Sequence, residues 1–221
     1  MKFDQLGLNT NFNFYEILTL LDHSEKVSFM RIFISLLVLT FGLQSLTKAD
    51  DISNFSIEGM TIGDSALNFF SKSILDQNKV FDWHDTKIFT PISELSLSGS
   101  EVYESFQIIV KTNDKDYKIE SIAGFVFYKN NIDECYKKLD DISLDIESMF
   151  NDIKNLGKNT YKHSFDKSGK SKVTDIILRD ANENEISIQC YDWSSELPYW
   201  DQLRITIDTK EYTDWLVTAY D

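Results

Sequence analysis

Cysteine and proline each occur only twice in the 221 residues, and glycine eight times. Two cysteines exclude a disulfide-dense miniprotein, and so little glycine and proline excludes a collagen-like chain. Positive charge is also short. Against 36 Asp and Glu stand 22 Lys and Arg, a net charge of -14 and a pI near 4.6. Such a chain repels nucleic acid and anionic lipid at long range, so no nucleic-acid partner is expected. What is plentiful is apolar and aromatic, 42% and 14% of residues, more than a disordered chain carries. The sequence is that of a globular protein, long enough for one domain or two small ones.

Long hydrophobic runs are missing too. The longest, Ile32 to Leu43, has twelve residues interrupted by Ser35, Thr40 and Gly42. As a helix it spans about 18 Å, short of a hydrocarbon core of roughly 30 Å. It follows Met30-Arg31 and leads through the polar Gln44 to Lys48 into Ala49, then Asp50-Asp51. A basic start, a short apolar run and a small residue at the cut are the parts of a secretory signal peptide. Residues 30–49 therefore read as one, cleaved between Ala49 and Asp50 with Thr47 at the -3 position. A retained anchor is the weaker alternative, because extending the run back through Val27 buries Arg31 at a cost of about 2.5 to 3.5 kcal/mol.

Residues 1–29, with Glu16, Asp22 and Glu25, are unusual ahead of such a signal and read as an upstream extension, with Met30 as the true initiator. No lipidation cysteine follows the run. The expected product is a single soluble domain, 50–221, periplasmic or secreted, with no membrane span after cleavage and with 18 basic and 32 acidic residues.

Within that domain Asp64 is placed to cap a helix over about 64–76, with Ala66, Leu67, Phe69, Phe70 and Ile74 at helical spacing. Between Lys79 and Ser100 the pattern is mixed, and Pro91 restricts any strand around Val80 to Phe89 to an edge. Val102 to Thr112 and Tyr117 to Tyr128 alternate around Asn113 to Asp116 and read as a β-hairpin. Asn131 opens a helix, Glu134 three residues on completes a capping box, and Ile132, Cys135, Leu139, Ile142, Ile146, Met149 and Ile153 form its buried face. Gly157 to Lys172 reads as a polar loop. Val173 to Arg179, Ile186 to Trp193 and Leu203 to Thr209 read as a three-strand meander, followed by a helix from Lys210 to Tyr220. The expected class is α+β: an antiparallel sheet, hairpin plus three-strand meander, covered by helices on one face.

No set of residues specifies a reaction. Cys135 and Cys190 both fall on buried faces, and in an exported chain a disulfide between them is the natural reading, with two separate buried thiols as the alternative. Asp133 and Glu134 beside Cys135 make a nucleophilic thiolate unsuitable. Gly63-Asp64-Ser65 is like the nucleophile block of GDSL-type hydrolases, but Ala66 replaces its Leu and no Asp-x-x-His follows near the C-terminus; a helix cap explains Asp64. Asp166 to Ser171 ends like a phosphate-binding loop, yet Ser164 stands where its first Gly is required and a strand follows. His84 and His163 lack metal-ligand spacing, so neither a metal nor a cofactor is expected. Aromatics beside acids recur at Asp82-Trp83, Asp192-Trp193, Trp200-Asp201 and Asp214-Trp215. Half-buried strand aromatics are the plainer explanation. A ligand groove, if present, is expected at Trp83, Trp193, Trp200 and Asp192, where a ring face beside a carboxylate suits a carbohydrate or a cation.

Ile57 to Ser65, Phe127 to Ile132 running into Cys135-Tyr136-Lys137-Lys138, Asp166 to Ser171, Cys190 to Ser194 and Asp208 to Tyr212 are spread across most of 55–215. On these segments the chain resembles a group of small exported proteins of marine alphaproteobacteria with streamlined genomes. The resemblance implies export and a paired Cys135 and Cys190, and it implies no activity; the 1–29 extension departs from it. Three function classes follow. The first is a non-catalytic exported domain that binds a ligand or an envelope partner. The second is a carboxylate-based hydrolase of cell-wall or glycan substrates, recognisable by two carboxyls about 5 to 9.5 Å apart in a concave site. The third is an envelope-assembly accessory.

Overall fold

The computed structural model describes residues 49, 51–81, 87–129 and 131–219, within one compact unit, 48–221. The expected signal segment up to residue 48, Asp50, Trp83 and His84 lie outside the described residues. Seven strands form one antiparallel sheet: β1 (Phe89–Leu95), β2 (Ser105–Lys111), β3 (Ile119–Tyr128), β4 (Lys154–Lys162), β5 (Lys172–Arg179), β6 (Glu185–Asp192) and β7 (Asp201–Asp208). Their order is β1-β2-β3-β7-β6-β5-β4. Two meanders are thus joined where β3 pairs with β7, from Ser121 opposite Asp208 to Tyr128 opposite Asp201. Three helices complete the α+β fold: α1 (Lys72–Gln77), α2 (Ile132–Ser148) and α3 (Lys210–Ala219).

Strand alternation gives the sheet two different faces. On the first, Ile92, Ile108, Ile122, Ile207, Ile186 and Leu178 stand in register across six strands, all fully buried. Burial of each is worth about 1.5 to 3 kcal/mol, and a slip of one residue would turn the row toward the polar face. Helix α2 covers this face with Cys135, Leu139 and Ile146, while Ile132, Ile142 and Ile153 pack at its rim and Met149 is exposed. It also carries the chain from the centre of the sheet to the far edge strand β4. Cys135 on α2 and Cys190 on β6 are joined by a disulfide, with their Cα atoms 5.9 Å apart.

The expectation that helices cover one face holds only for α2 among the larger two. Tyr212 and Trp215 of α3 pack edge-on against Phe89 at 5.4 and 5.1 Å, in a cluster with Ile109. Phe89 and Ile109 alternate with Ile92 and Ile108, so α3 sits on the second face.

Three local expectations are corrected. The polar segment after Gly157 is not a sixteen-residue loop, because Lys154–Lys162 forms edge strand β4 on β5. Apart from the half-buried Leu156 its residues are exposed, so no apolar alternation marks it; backbone pairing defines it, with polar side-chain links such as Thr160 to Thr174 and Tyr161 to Asp175. Gly157, at φ +93°, sits at the register shift between Asn155 and Lys158, where the Asn155 side chain accepts its N–H at 2.7 Å. The helix over 64–76 breaks into a 3-10 turn at Ala66–Asn68, capped by Ser65, and α1, capped by Ser71. Serine competes well for helix N-caps, and Asp64 instead accepts the Thr61 N–H at 3.1 Å. At the start of α2 the capping box is incomplete: the Asn131 side chain makes no cap hydrogen bond and its amide donates to Glu134 at 3.2 Å.

Candidate functional site

The second sheet face is polar at its centre and aromatic at one end. Leu203, Ile205 and Ile207 of β7 face the core, so Gln202, Arg204, Thr206 and Asp208 face the other way. On β6 the same parity presents Ser187, Gln189 and Tyr191, and Trp193 follows past the strand end; on β3 it presents Phe125 and Phe127, followed by Lys129. On β4 it presents Tyr161, with His163 beyond.

The ends of these strands bring rings together. Trp193 lies 4.6 Å from His163 and 4.8 Å from Tyr199, and stacks on Tyr191 at 5.8 Å. Tyr199 meets Phe165 at 6.0 Å, and Phe127 meets Trp200 edge-on at 5.9 Å. An open pocket of about 400 Å³ lies here, lined by Phe127, Trp193, Pro198, Tyr199, Trp200 and Gln202. Trp200 is 51% exposed, Tyr199 44% and Phe165 59%, which is costly apolar area to leave in water without a use.

A chain of polar contacts holds the two loops that carry these rings. The Asp166 carboxylate accepts the N–H groups of Ser168 and Ser171 at 2.8 Å and the Ser171 hydroxyl at 2.7 Å. The Ser171 hydroxyl oxygen in turn accepts the Ser194 N–H at 2.9 Å. Hydrogen bonds from Ser168 first, and then from Ser171, hold the Asp166 carboxyl well below the usual range. Asp166 to Ser171, which ends like a phosphate loop, is therefore an Asp-centred turn that fixes the aromatic cluster. The Asp201 carboxylate accepts the Trp193 N–H at 2.9 Å, and burial pushes its pKa up against that bond. Burial likewise pushes His163 down, toward its neutral form.

Deeper on the face, Arg204 donates to the Tyr191 hydroxyl at 3.4 Å and to Gln107 Oε1 at 3.2 Å, with its guanidinium carbon 5.5 Å from the Phe125 ring centre. Its Nε is buried and has no acceptor. The Tyr161 hydroxyl donates to Asp175 at 3.0 Å, while the second oxygen of this buried carboxyl has no donor. Burial raises the pKa of Asp175, and that of Asp208 further along the face.

Of the expected groove residues, Trp193 and Trp200 line one pocket. Asp192 does not: it stands opposite Lys172, on the other parity from Tyr191 and Trp193. Asp201 pairs with Tyr128 on that same parity. The carboxylates next to these tryptophans in sequence are turned from the rings by strand alternation. In their place come cations, Lys129 with its ammonium 4.9 Å from the Trp200 ring centre, and Arg204 one parity step beyond Gln202. His163, Tyr191, Tyr199, Phe127, Lys129 and Arg204 were not anticipated. The two-residue spacing of Tyr161 with His163, and of Tyr191 with Trp193, is the signal that could have found the cluster. Ser65 of the hydrolase-like block caps its short turn and donates to the Asp116 carbonyl. Among the described residues no helix is long and apolar enough to cross a membrane, and no group of three or more His, Cys, Asp or Glu is placed to hold a metal ion.

In comparisons with known proteins, no family model, curated protein or solved structure matches this chain.

Proposed function

We propose that the protein is an exported, non-catalytic binding domain, periplasmic or secreted, that uses the aromatic pocket on its second sheet face to hold a saccharide ring. The observation that carries this reading is the pocket itself: Tyr199 and Trp200 are exposed, the half-buried Trp193 lines the wall beside them, and Gln202 is an amide among them. A sugar presents an apolar C–H face and a hydroxyl rim, which match an aromatic wall with a few placed polar groups. The disulfide supports the exported setting, since such bonds persist in oxidising compartments. The competing hydrolase requires a pair of carboxyls in a concave site. Among the described residues those that line the pocket are aromatic, proline and amide side chains, the make-up of a sugar-stacking wall.

The test is binding of soluble oligosaccharides, followed by tryptophan fluorescence, with Trp193→Ala and Trp200→Ala as variants. Each stacked ring is worth about 0.5 to 1.5 kcal/mol beyond its buried area, so each variant is expected to weaken binding about tenfold while retaining its fold. Binding untouched by both substitutions would place the site elsewhere.

A further inference from the structure

The pocket lies on a protein of net charge -14, yet two cations, Lys129 and Arg204, share its face of the sheet. Neither lines the pocket: Lys129 lies over Trp200 of its wall, and Arg204 lies over Phe125, one step of the same strand parity deeper on the face. The two cations lie against the same strand, four residues apart in register on β3 (Phe125 pairs with Arg204), or roughly 14 Å at about 3.4 Å per residue. Among the described residues neither makes an ion pair with a carboxylate. The Glu104 carboxylate near Phe127 is tied to that residue's N–H at 3.0 Å, and Glu196 of the pocket loop is paired with Lys170.

We infer that the pocket takes an acidic saccharide, a chain of hydroxylated rings bearing carboxylates, with Lys129 and Arg204 as the charge partners at its two ends. This rests on the reading of the pocket as a saccharide site and adds the chemistry of the chain. Arg204 is the stronger argument. A guanidinium has five N–H donors and is strongest against a carboxylate, which it meets with two parallel bonds. Here its acceptors are a phenol and an amide, both neutral, and Nε has none. Asp208, the carboxyl whose charge it feels, is four residues along β7 and outside ion-pair distance. A half-buried cation matched only to neutral oxygens leaves attraction for an incoming anion unused. Two cations separated by more than one ring favour an oligomer over a monosaccharide. A polyanion as densely charged as nucleic acid is disfavoured, because the whole molecule repels it at long range.

The experiment is calorimetric titration of the oxidised protein with a galacturonic acid tetramer and with its methyl ester, which keeps the rings and removes the charge. The acid is expected to bind about tenfold more tightly at low salt, and the difference should shrink as salt rises. Arg204→Gln should lower the affinity for the acid toward that of the ester, and Lys129→Gln should do so in part. Should Arg204→Gln fail to fold, the acid-to-ester ratio and its salt dependence in the unaltered protein decide the matter. Equal affinity for acid and ester, weakened together by Trp193→Ala, overturns the charge assignment and leaves the saccharide pocket standing. Binding of neither, or tighter binding of a thymidine oligonucleotide, overturns the acidic saccharide. Acid binding that ignores both Trp193→Ala and Trp200→Ala overturns the pocket reading itself.

Discussion

Asp166 is where one side chain decides the shape of the site. Its carboxylate gathers Ser168 and Ser171, and through Ser171 it fixes Ser194, the first residue of the loop that carries Tyr199. Because its folded pKa is depressed, its contribution to stability is present above the unfolded value near 4 and is lost as pH falls through the folded pKa. Acidification below about pH 4 is therefore expected to loosen the aromatic cluster, and near-ultraviolet circular dichroism should show that loss in the unaltered protein and already at neutral pH in Asp166→Asn. Asp175 behaves oppositely. Burial raises its pKa, so its charged form costs stability at neutral pH, a cost relieved as the pH falls toward the unfolded value. The Tyr161 hydroxyl donates to it, and Tyr161→Phe should cost about 1 to 3 kcal/mol in urea denaturation at pH 7, with a smaller loss near pH 4. Neither pairing was legible in the sequence. Both join residues that look solvent-facing by polarity alone, and only the pairing of β4 with β5 brings Tyr161 to Asp175.

At the scale of elements, legibility followed apolar periodicity. Strands β2, β3, β5, β6 and β7 and helix α2 each bury a repeating apolar set, and their positions are evident from it. Edge strand β4 buries almost nothing and is held by backbone pairing, so it passed for a loop; Ser71 split a helix whose apolar spacing continued through it. The candidate site was half legible. Trp193 and Trp200 stand out by type, but Asp192 enters the expected groove only through adjacency to Trp193, which alternation along a strand defeats. Two element-scale outcomes test this account. Replacing both cysteines by alanine releases a 55-residue loop between α2 and β6 and should lower stability by roughly 4 kcal/mol in the chain-entropy picture. Gly157→Ala puts a side chain at φ +93° and should cost about 1 kcal/mol or more. Hydrogen exchange should show that loss as faster opening of β4, with β6 and β7 unchanged.

At the scale of the folded unit 48–221, the two meanders form one sheet whose first face is the apolar core and whose second face is polar at its centre. Cys190 faces the helix, and the next residue, Tyr191, lies on the other face stacked on Trp193, so the crosslink lies behind the aromatic cluster. The backbone of Ala49 is bonded to Met149 and Asn151, and Asp180 accepts the Ile52 N–H at 3.0 Å, so the folded domain closes on the chain beside the expected cleavage point. The non-reduced intact mass from the native host should equal 50–221 less two hydrogens, and a mass that retains residues 1–49 with free thiols would contradict export. The polarity of the second face could be read from the parity of β7, whereas the sign of the charge around the pocket could not, because Lys129 and Arg204 come from strands distant in sequence.

The central claim is that the aromatic end of the second face binds a saccharide. The most direct measurement is nitrogen-15 NMR of the tryptophan indole groups during titration with the galacturonic acid tetramer. The account requires the Trp193 and Trp200 signals to move together and saturate, while Trp215, packed on Phe89 beneath α3, stays in place. Shifts confined to Trp215, or none at Trp193 and Trp200 under conditions where calorimetry detects binding, would contradict it.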